Sequence, residues 1–179
     1  DYSVVLVVAD GMGGGLAGEQ ASALAVNAIV AELDAYRGHD DQLLRAAIIN
    51  GIEQANGAVQ KLGLGAATTL AVVQVQGRVV RPYHVGDSLV LVAGNRGKIK
   101  LQTVSHSPVG YAVEAGVLDE AQAMHHEDRH IVSNMVGTED MRIEVGASLN
   151  LAPRDTLVLA SDGLSDNLHV DEIVELTRS

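Results

Sequence analysis

At 179 residues, 47% of them hydrophobic, the chain is long enough for one domain with a sizeable buried core. Its formal net charge of −11 disfavours nucleic acid and anionic membranes as partners, and the absence of cysteine excludes disulfides, thiolate nucleophiles and cysteine-ligated zinc. Phenylalanine and tryptophan are absent as well, so the core must be built from valine, leucine, isoleucine and alanine.

The chain opens on Val4-Val5-Leu6-Val7-Val8-Ala9, a run rich in β-branched residues that predicts a buried strand. Asp10 ends it, followed by Gly11, Gly13, Gly14 and Gly15, which allow the backbone to turn tightly beside a ligand. Asp10 therefore suits a metal ligand or a nucleophile; a helix cap on a tight turn is the plainer alternative. Residues 17–36 then read as a helix, with Glu19 near its positive end and Val26, Ile29, Val30 and Leu33 on one face. Its many alanines suggest a helix sandwiched between neighbours. Arg37-Gly38-His39 breaks it and Asp40 or Asp41 can cap the next, whose Leu44, Ile48, Ile52, Ala55, Val59 and Leu62 mark one face of a second long helix.

From Thr69 the period changes to two. Residues 69–76 read as a strand, Gly77-Arg78 as a turn and residues 79–85 as the returning strand, ending at Asp87. Residues 88–93 and 98–103 form a second hairpin around Gly94-Asn95-Arg96-Gly97. Consecutive hairpins with two helices predict an α+β layered domain with antiparallel sheets. Residues 105–135 are polar and histidine-rich, but His106, His125, His126 and His130 lack a clean zinc-ligand spacing; a solvated helical segment is expected there. Strands are expected at 141–145 and 156–160, a corner at Ser161-Asp162-Gly163-Leu164, and a short amphipathic helix at 170–177. If the corner turns helically, Asp162 and Asp166, four residues apart, share one face; a helix start decorated with acids is the alternative. No apolar run approaches the ~20 residues of a membrane span and no signal peptide is visible, so a cytoplasmic location is expected.

Asp10, Asp87 and Asp162 each follow a strand. Three such carboxylates in a cysteine-free chain argue for hard cations held by oxygen. At this point the sequence resembles a known family, the bacterial PPM (PP2C) type of metal-dependent protein serine/threonine phosphatase. The resemblance rests on Ala9-Asp10-Gly11-Met12-Gly13-Gly14 with Ala17-Gly18-Glu19, on Ala67-Thr68-Thr69-Leu70, Val85-Gly86-Asp87-Ser88 and Ser105-His106-Ser107, and on Ser161-Asp162-Gly163-Leu164-Ser165-Asp166. It implies a four-layer α-β-β-α sandwich of two antiparallel sheets flanked by helices, forming a single domain over residues 1–179. It also implies two central Mn²⁺ or Mg²⁺ ions bridged by Asp10, one helped by the Gly11 carbonyl and the other held by Asp162, with Asp87 and Asp166 at a weaker third. The nucleophile would be a metal-bridging hydroxide, and the substrates would be phosphoserine and phosphothreonine proteins made by a cognate serine/threonine kinase. The histidine-rich segment would be a flap beside the site, with residues 116–121 its helical part.

The chemistry is coherent. A phosphomonoester repels hydroxide, and paired cations neutralise the one while making the other available near neutral pH. There are departures: the family's phosphate-binding arginine with Asn-Glu-Asp, and its closing Asp-Asn motif, are absent from these residues. Further segments are therefore expected before Asp1 and after Ser179. Gly15, Leu89 and Ala66-Ala67 stand where the family often has histidine, arginine and Met-Gly. A pseudophosphatase that binds phosphoproteins without turnover is the alternative function. A nucleotide-binding reading of the glycines lacks the phosphate-loop lysine.

Overall fold

The computed structural model describes residues 3–36, 40–63 and 65–178. In chain order these form β1 (Ser3–Val8), β2 (Gly11–Met12), α1 (Leu16–Ala35), α2 (Asp41–Leu62), β3 (Ala67–Thr68), β4 (Leu70–Gln76) and β5 (Val79–Val85). Then come β6 (Leu89–Ala93), β7 (Ile99–Gln102), α3 (Pro108–Glu114), α4 (Glu120–Met124), β8 (Glu144–Val145), β9 (Leu149–Asn150), β10 (Thr156–Ala160), α5 (Asp162–Ser165) and α6 (Val170–Thr177).

The expected α-β-β-α sandwich is what forms. One antiparallel sheet runs β1-β4-β5-β8 with β9 also on β5, and a second runs β10-β6-β7; β2 and β3 make a small pair of their own. Alternation along the strands builds the layers. Leu70, Val72, Tyr83 and Val85 face α1 and α2, while Ala71, Val73 and Val80 face Val90 and Val92 of the other sheet. Leu89, Leu91 and Ala93 turn outward onto Ile173 and Val174 of α6.

Helix α2 carries the stripe read from its sequence: Leu44, Ile48, Ile52, Ala55 and Val59 are all buried. Asp40 caps it, its Oδ1 accepting from the backbone N–H of Gln42 at 2.7 Å. Helix α1 differs from expectation. Its buried stripe is Gly18, Ala21, Ala25 and Ile29, whereas Val30 is 45% exposed, so the helix lies on the sheet and on α2 by small residues and has an open outer face. Alanines there mark close approach on one side, not burial all round. The break expected at Arg37-Gly38-His39 lies outside the described residues. The strand expected over 141–145 shrinks to β8, and β2, β3 and β9 are too short to leave a two-residue period.

Register fixes the end of the sandwich at which function can gather. Val8 pairs with Ala71, Leu70 with Val85, and Leu89 with Ala160. The chain therefore leaves β1, β5 and β10 at the same end, and Asp10, Asp87 and Asp162 follow those three strands.

Candidate metal centre

The Asp10 backbone is held on both sides. Its N–H donates to Thr69 Oγ1 at 3.2 Å, and its carbonyl accepts from the Thr69 N–H at 2.9 Å and from Thr68 Oγ1 at 2.8 Å. Thr69 Oγ1 also hydrogen-bonds Ser88 Oγ at 2.7 Å, which ties the Asp10 corner to the turn that carries Asp87. Beyond Asp10, β2 passes so close to α1 that a β-carbon on Gly18 would come within 2.7 Å of the Gly11 carbonyl oxygen. Only glycine fits at that crossing.

The Asp87 turn is equally constrained. Gly86 has φ of 106°, and a β-carbon there would lie 2.7 Å from Thr69 Cγ2. The corner after β10 turns helically as α5, with the Asp166 N–H donating to the Asp162 carbonyl at 2.7 Å. One turn of helix thus sets both carboxylates on the same cleft.

Four half-buried carboxylates therefore converge, and their electrostatics show it. Burial raises the Asp10 carboxyl above its ordinary range, and Asp162, which is hydrogen-bonded to it and also repels it, raises it further. Burial likewise pushes Asp87 up to about 6, with added repulsion from Asp162, Asp10 and Asp166 and partial relief from a hydrogen bond to its own backbone. Among the described residues no three of these aspartates bring an oxygen each within 4.8 Å of one another.

Beside the ring lies a cleft of about 360 Å³, lined by Asp87, Asp162, Asp166 and residues of α3 and α4, with Arg129 its one arginine or lysine. His130 Nδ1 sits 3.7 Å from Asp166 Oδ2, so the segment after α4 touches the ring.

The histidine-rich segment is not uniformly solvated. His125 and His130 are exposed, but His106 is buried and stacks on His84 with ring centroids 4.3 Å apart. Residues 116–119 form a turn leading into α4, which Asp119 caps. His84, His106 and Glu144 do bring ligand atoms within 4.8 Å of one another, but both ring nitrogens of His106 are already engaged in hydrogen bonds. His106 Nδ1 accepts from the Gly86 N–H at 3.0 Å and from Asn134 Nδ2 at 2.9 Å, so the ring proton is on Nε2, where it donates to Glu144 Oε2 at 3.0 Å. That nitrogen has no lone pair for a metal.

The sequence analysis quoted Thr69 and Ser88 within motifs without giving them a role, and missed His84, Asn134 and Glu144 as parts of this region. His84 and Ser88 lie inside apolar strand patterns, and a polar residue in such a run is a signal that it has a buried partner.

Residues 1–178 match the family described as protein phosphatase 2C. The chain belongs to that family. It is 30% identical over 181 residues to a putative protein phosphatase 2C-type of Streptococcus pyogenes serotype M6, covering 98% of this chain and 73% of that one. Its fold is similar to that of the S. agalactiae serine/threonine phosphatase, with a TM-score of 0.88, 29% identity, and coverage of 99% of this chain and 75% of the other. A PstP catalytic domain solved in complex with two manganese ions is also similar, with a TM-score of 0.73, 28% identity, and coverage of 96% and 72%. This PP2C domain shares its overall fold with those two solved structures.

Proposed function

We propose that this PP2C domain is a Mn²⁺- or Mg²⁺-dependent protein serine/threonine phosphatase. The observation that carries the reading is the convergence of Asp10, Asp87, Asp162 and Asp166 beside an open cleft, where burial and the neighbouring carboxylates raise the proton affinities of Asp10 and Asp87. An all-oxygen donor set of this charge suits hard divalent cations, and the relative with two manganese ions supports the same assignment.

On this reading Asp10 and the Gly11 carbonyl would hold one central cation, Asp10 and Asp162 would hold the other, and Asp87 with Asp166 would hold a weaker third. When bound, such ions neutralise the phosphoryl oxygens and lower the pKa of water, so that hydroxide is available as the nucleophile near neutral pH. The chain's own contributions are positional. Thr68 and Thr69 lock the Asp10 backbone, so its carboxylate meets the site without a flexible stem. The rigid Gly86 turn presents Asp87, and α5 fixes the spacing of Asp162 and Asp166. Arg129 offers the cleft a guanidinium for an anionic substrate, which would be a protein phosphorylated on serine or threonine by a kinase of matching specificity.

The test is hydrolysis of a phosphothreonine peptide with added Mn²⁺, by the wild type and by Asp162→Ala. Turnover that needs the metal and is lost in the variant is expected. A folded wild type with no turnover at millimolar Mn²⁺ would refute the enzyme and leave a phosphoprotein-binding pseudophosphatase.

A further inference from the structure

His106 lies behind the carboxylate ring, 4% exposed, and none of the chemistry above uses it. It nevertheless grips both polar groups of Gly86. Its imidazole Nδ1 accepts from the Gly86 N–H at 3.0 Å, and its own backbone N–H donates to the Gly86 carbonyl at 3.0 Å. Gly86 is the residue before Asp87, in a backbone conformation that other residues rarely adopt. Whatever fixes Gly86 therefore fixes the direction in which Asp87 leaves the turn.

The imidazole is itself held from several sides. Asn134 donates from Nδ2 to the Arg142 carbonyl at 2.7 Å and accepts at Oδ1 from the Arg142 N–H at 2.9 Å, which sets its amide orientation. That same Nδ2 points at His106 Nδ1, so Nδ1 must be the acceptor and Nε2 the donor to Glu144. The stacked His84 is pinned by its Nε2 to the Val104 carbonyl at 2.9 Å. Ser133 donates its N–H to the His106 carbonyl at 2.7 Å, joining the far end of the histidine-rich segment to the same residue.

We infer that His106 is a positioning residue, whose imidazole, oriented by Asn134 and Glu144, holds the Gly86 turn so that Asp87 stays in the carboxylate ring. The ring makes this tie necessary: Asp87 faces Asp10, Asp162 and Asp166, and an untethered turn would relax by swinging its carboxylate away from them. The inference rests on the reading of the ring as a cation site. It adds that the site is preformed before any ion arrives.

Two substitutions separate positioning from bulk structure. His106→Asn places an amide oxygen near Nδ1, able to accept from Gly86, but gives up the bond to Glu144. His106→Gln places its amide near Nε2, able to reach Glu144, but leaves the Gly86 N–H without its acceptor. Mn²⁺ titration followed by calorimetry is expected to show the weakest site in His106→Gln losing affinity roughly tenfold, the scale of losses when a partner that orients a metal ligand is removed. His106→Asn should stay within about threefold of wild type, both variants melting at similar temperatures. Wild-type Mn²⁺ binding by the Gln variant, or equal loss in both, overturns the inference alone. A wild type that binds no Mn²⁺ overturns the cation reading and the inference with it. A readout on the unaltered protein guards against variants that do not fold: imidazole ¹⁵N NMR should show the Nε2–H tautomer of His106, and the Nδ1–H tautomer would overturn the inference directly.

Discussion

On one side of the Gly86–Asp87 turn, four carboxylates approach one another, and the affinity of Asp10 and Asp87 for protons is raised by burial and by their acidic neighbours. On the other side, His84, His106, Asn134 and Glu144 form a network in which donors meet acceptors, and among the described residues no buried side-chain nitrogen or oxygen lacks a partner. Both clusters are polar and both lie beside the ends of the same strands. One is electrostatically unfinished and the other complete. An unfinished cluster costs stability and persists where a ligand completes it, whereas a complete one contributes stability and shape. The two should therefore respond to mutation in opposite ways.

The sharpest break of this contrast is Asp162→Ala. Turnover of a phosphothreonine peptide should fall by roughly 10³-fold or more, equivalent to about 4 kcal/mol of lost transition-state stabilisation. In the metal-free protein the same change should leave the melting temperature unchanged or raise it, because it removes a repelling charge from Asp10 and Asp87. A large drop in metal-free stability would show that the ring is structural and erase the distinction.

Asn134→Ala probes the complete cluster. It removes both bonds to the Arg142 backbone and one donor to His106, all of them buried or partly so. A loss of about 2 to 3 kcal/mol is expected in urea unfolding, since the groups left behind find no water. Thr69→Val acts at the seam between the clusters, where Thr69 Oγ1 joins the Asp10 N–H to Ser88. It keeps the shape and should cost about 1 kcal/mol, with a loss of turnover larger than that stability change alone would cause.

Much of this was legible in the sequence, and the reasons differ by element. The stripe of α2 and the two hairpins follow from periodicities that tertiary packing only reinforces. The site aspartates were visible because each ends a strand pattern and is followed by glycine or a small residue: Asp10-Gly11, Asp87-Ser88, Asp162-Gly163. The face of α1 was legible only in part: Ile29 is buried and Leu33 packs on the core as expected, but hydrophobic bulk also pointed to Val30, which is exposed, while close packing selected Gly18, Ala21 and Ala25. The histidine network was hidden for another reason. His84, His106, Asn134 and Glu144 are distant in sequence, and only the register pairing His84 with Glu144 brings them together. His106 was grouped by composition with the exposed histidines that follow it, and composition carries no information about burial.

The smallest effect, and the one that reads the contrast most directly, is the pH dependence of the metal-free protein. The folded Asp87 carboxyl sits at about 6, above its ordinary 3.8, so between those values the folded state holds a proton that the unfolded chain has released. Its favourable contribution is present below about 3.8 and is lost as pH rises through about 6. His84 has the opposite sign. Burial first, and then His106, lower its affinity for protons, so its contribution is full above about 6.5 and is lost as pH falls. The two partly cancel in the wild type and separate in Asp87→Asn. With chelator present, melting temperatures of that variant should decline less than wild type as pH rises from about 4.5 to 7, exposing the acid-side loss due to His84. Saturating Mn²⁺ should flatten the wild-type decline in the same way, because a bound cation stabilises the ionised carboxylate that the empty ring disfavours. Parallel pH profiles for wild type and Asp87→Asn would mean that Asp87 ionises without strain, and that the two clusters differ in composition but not in kind.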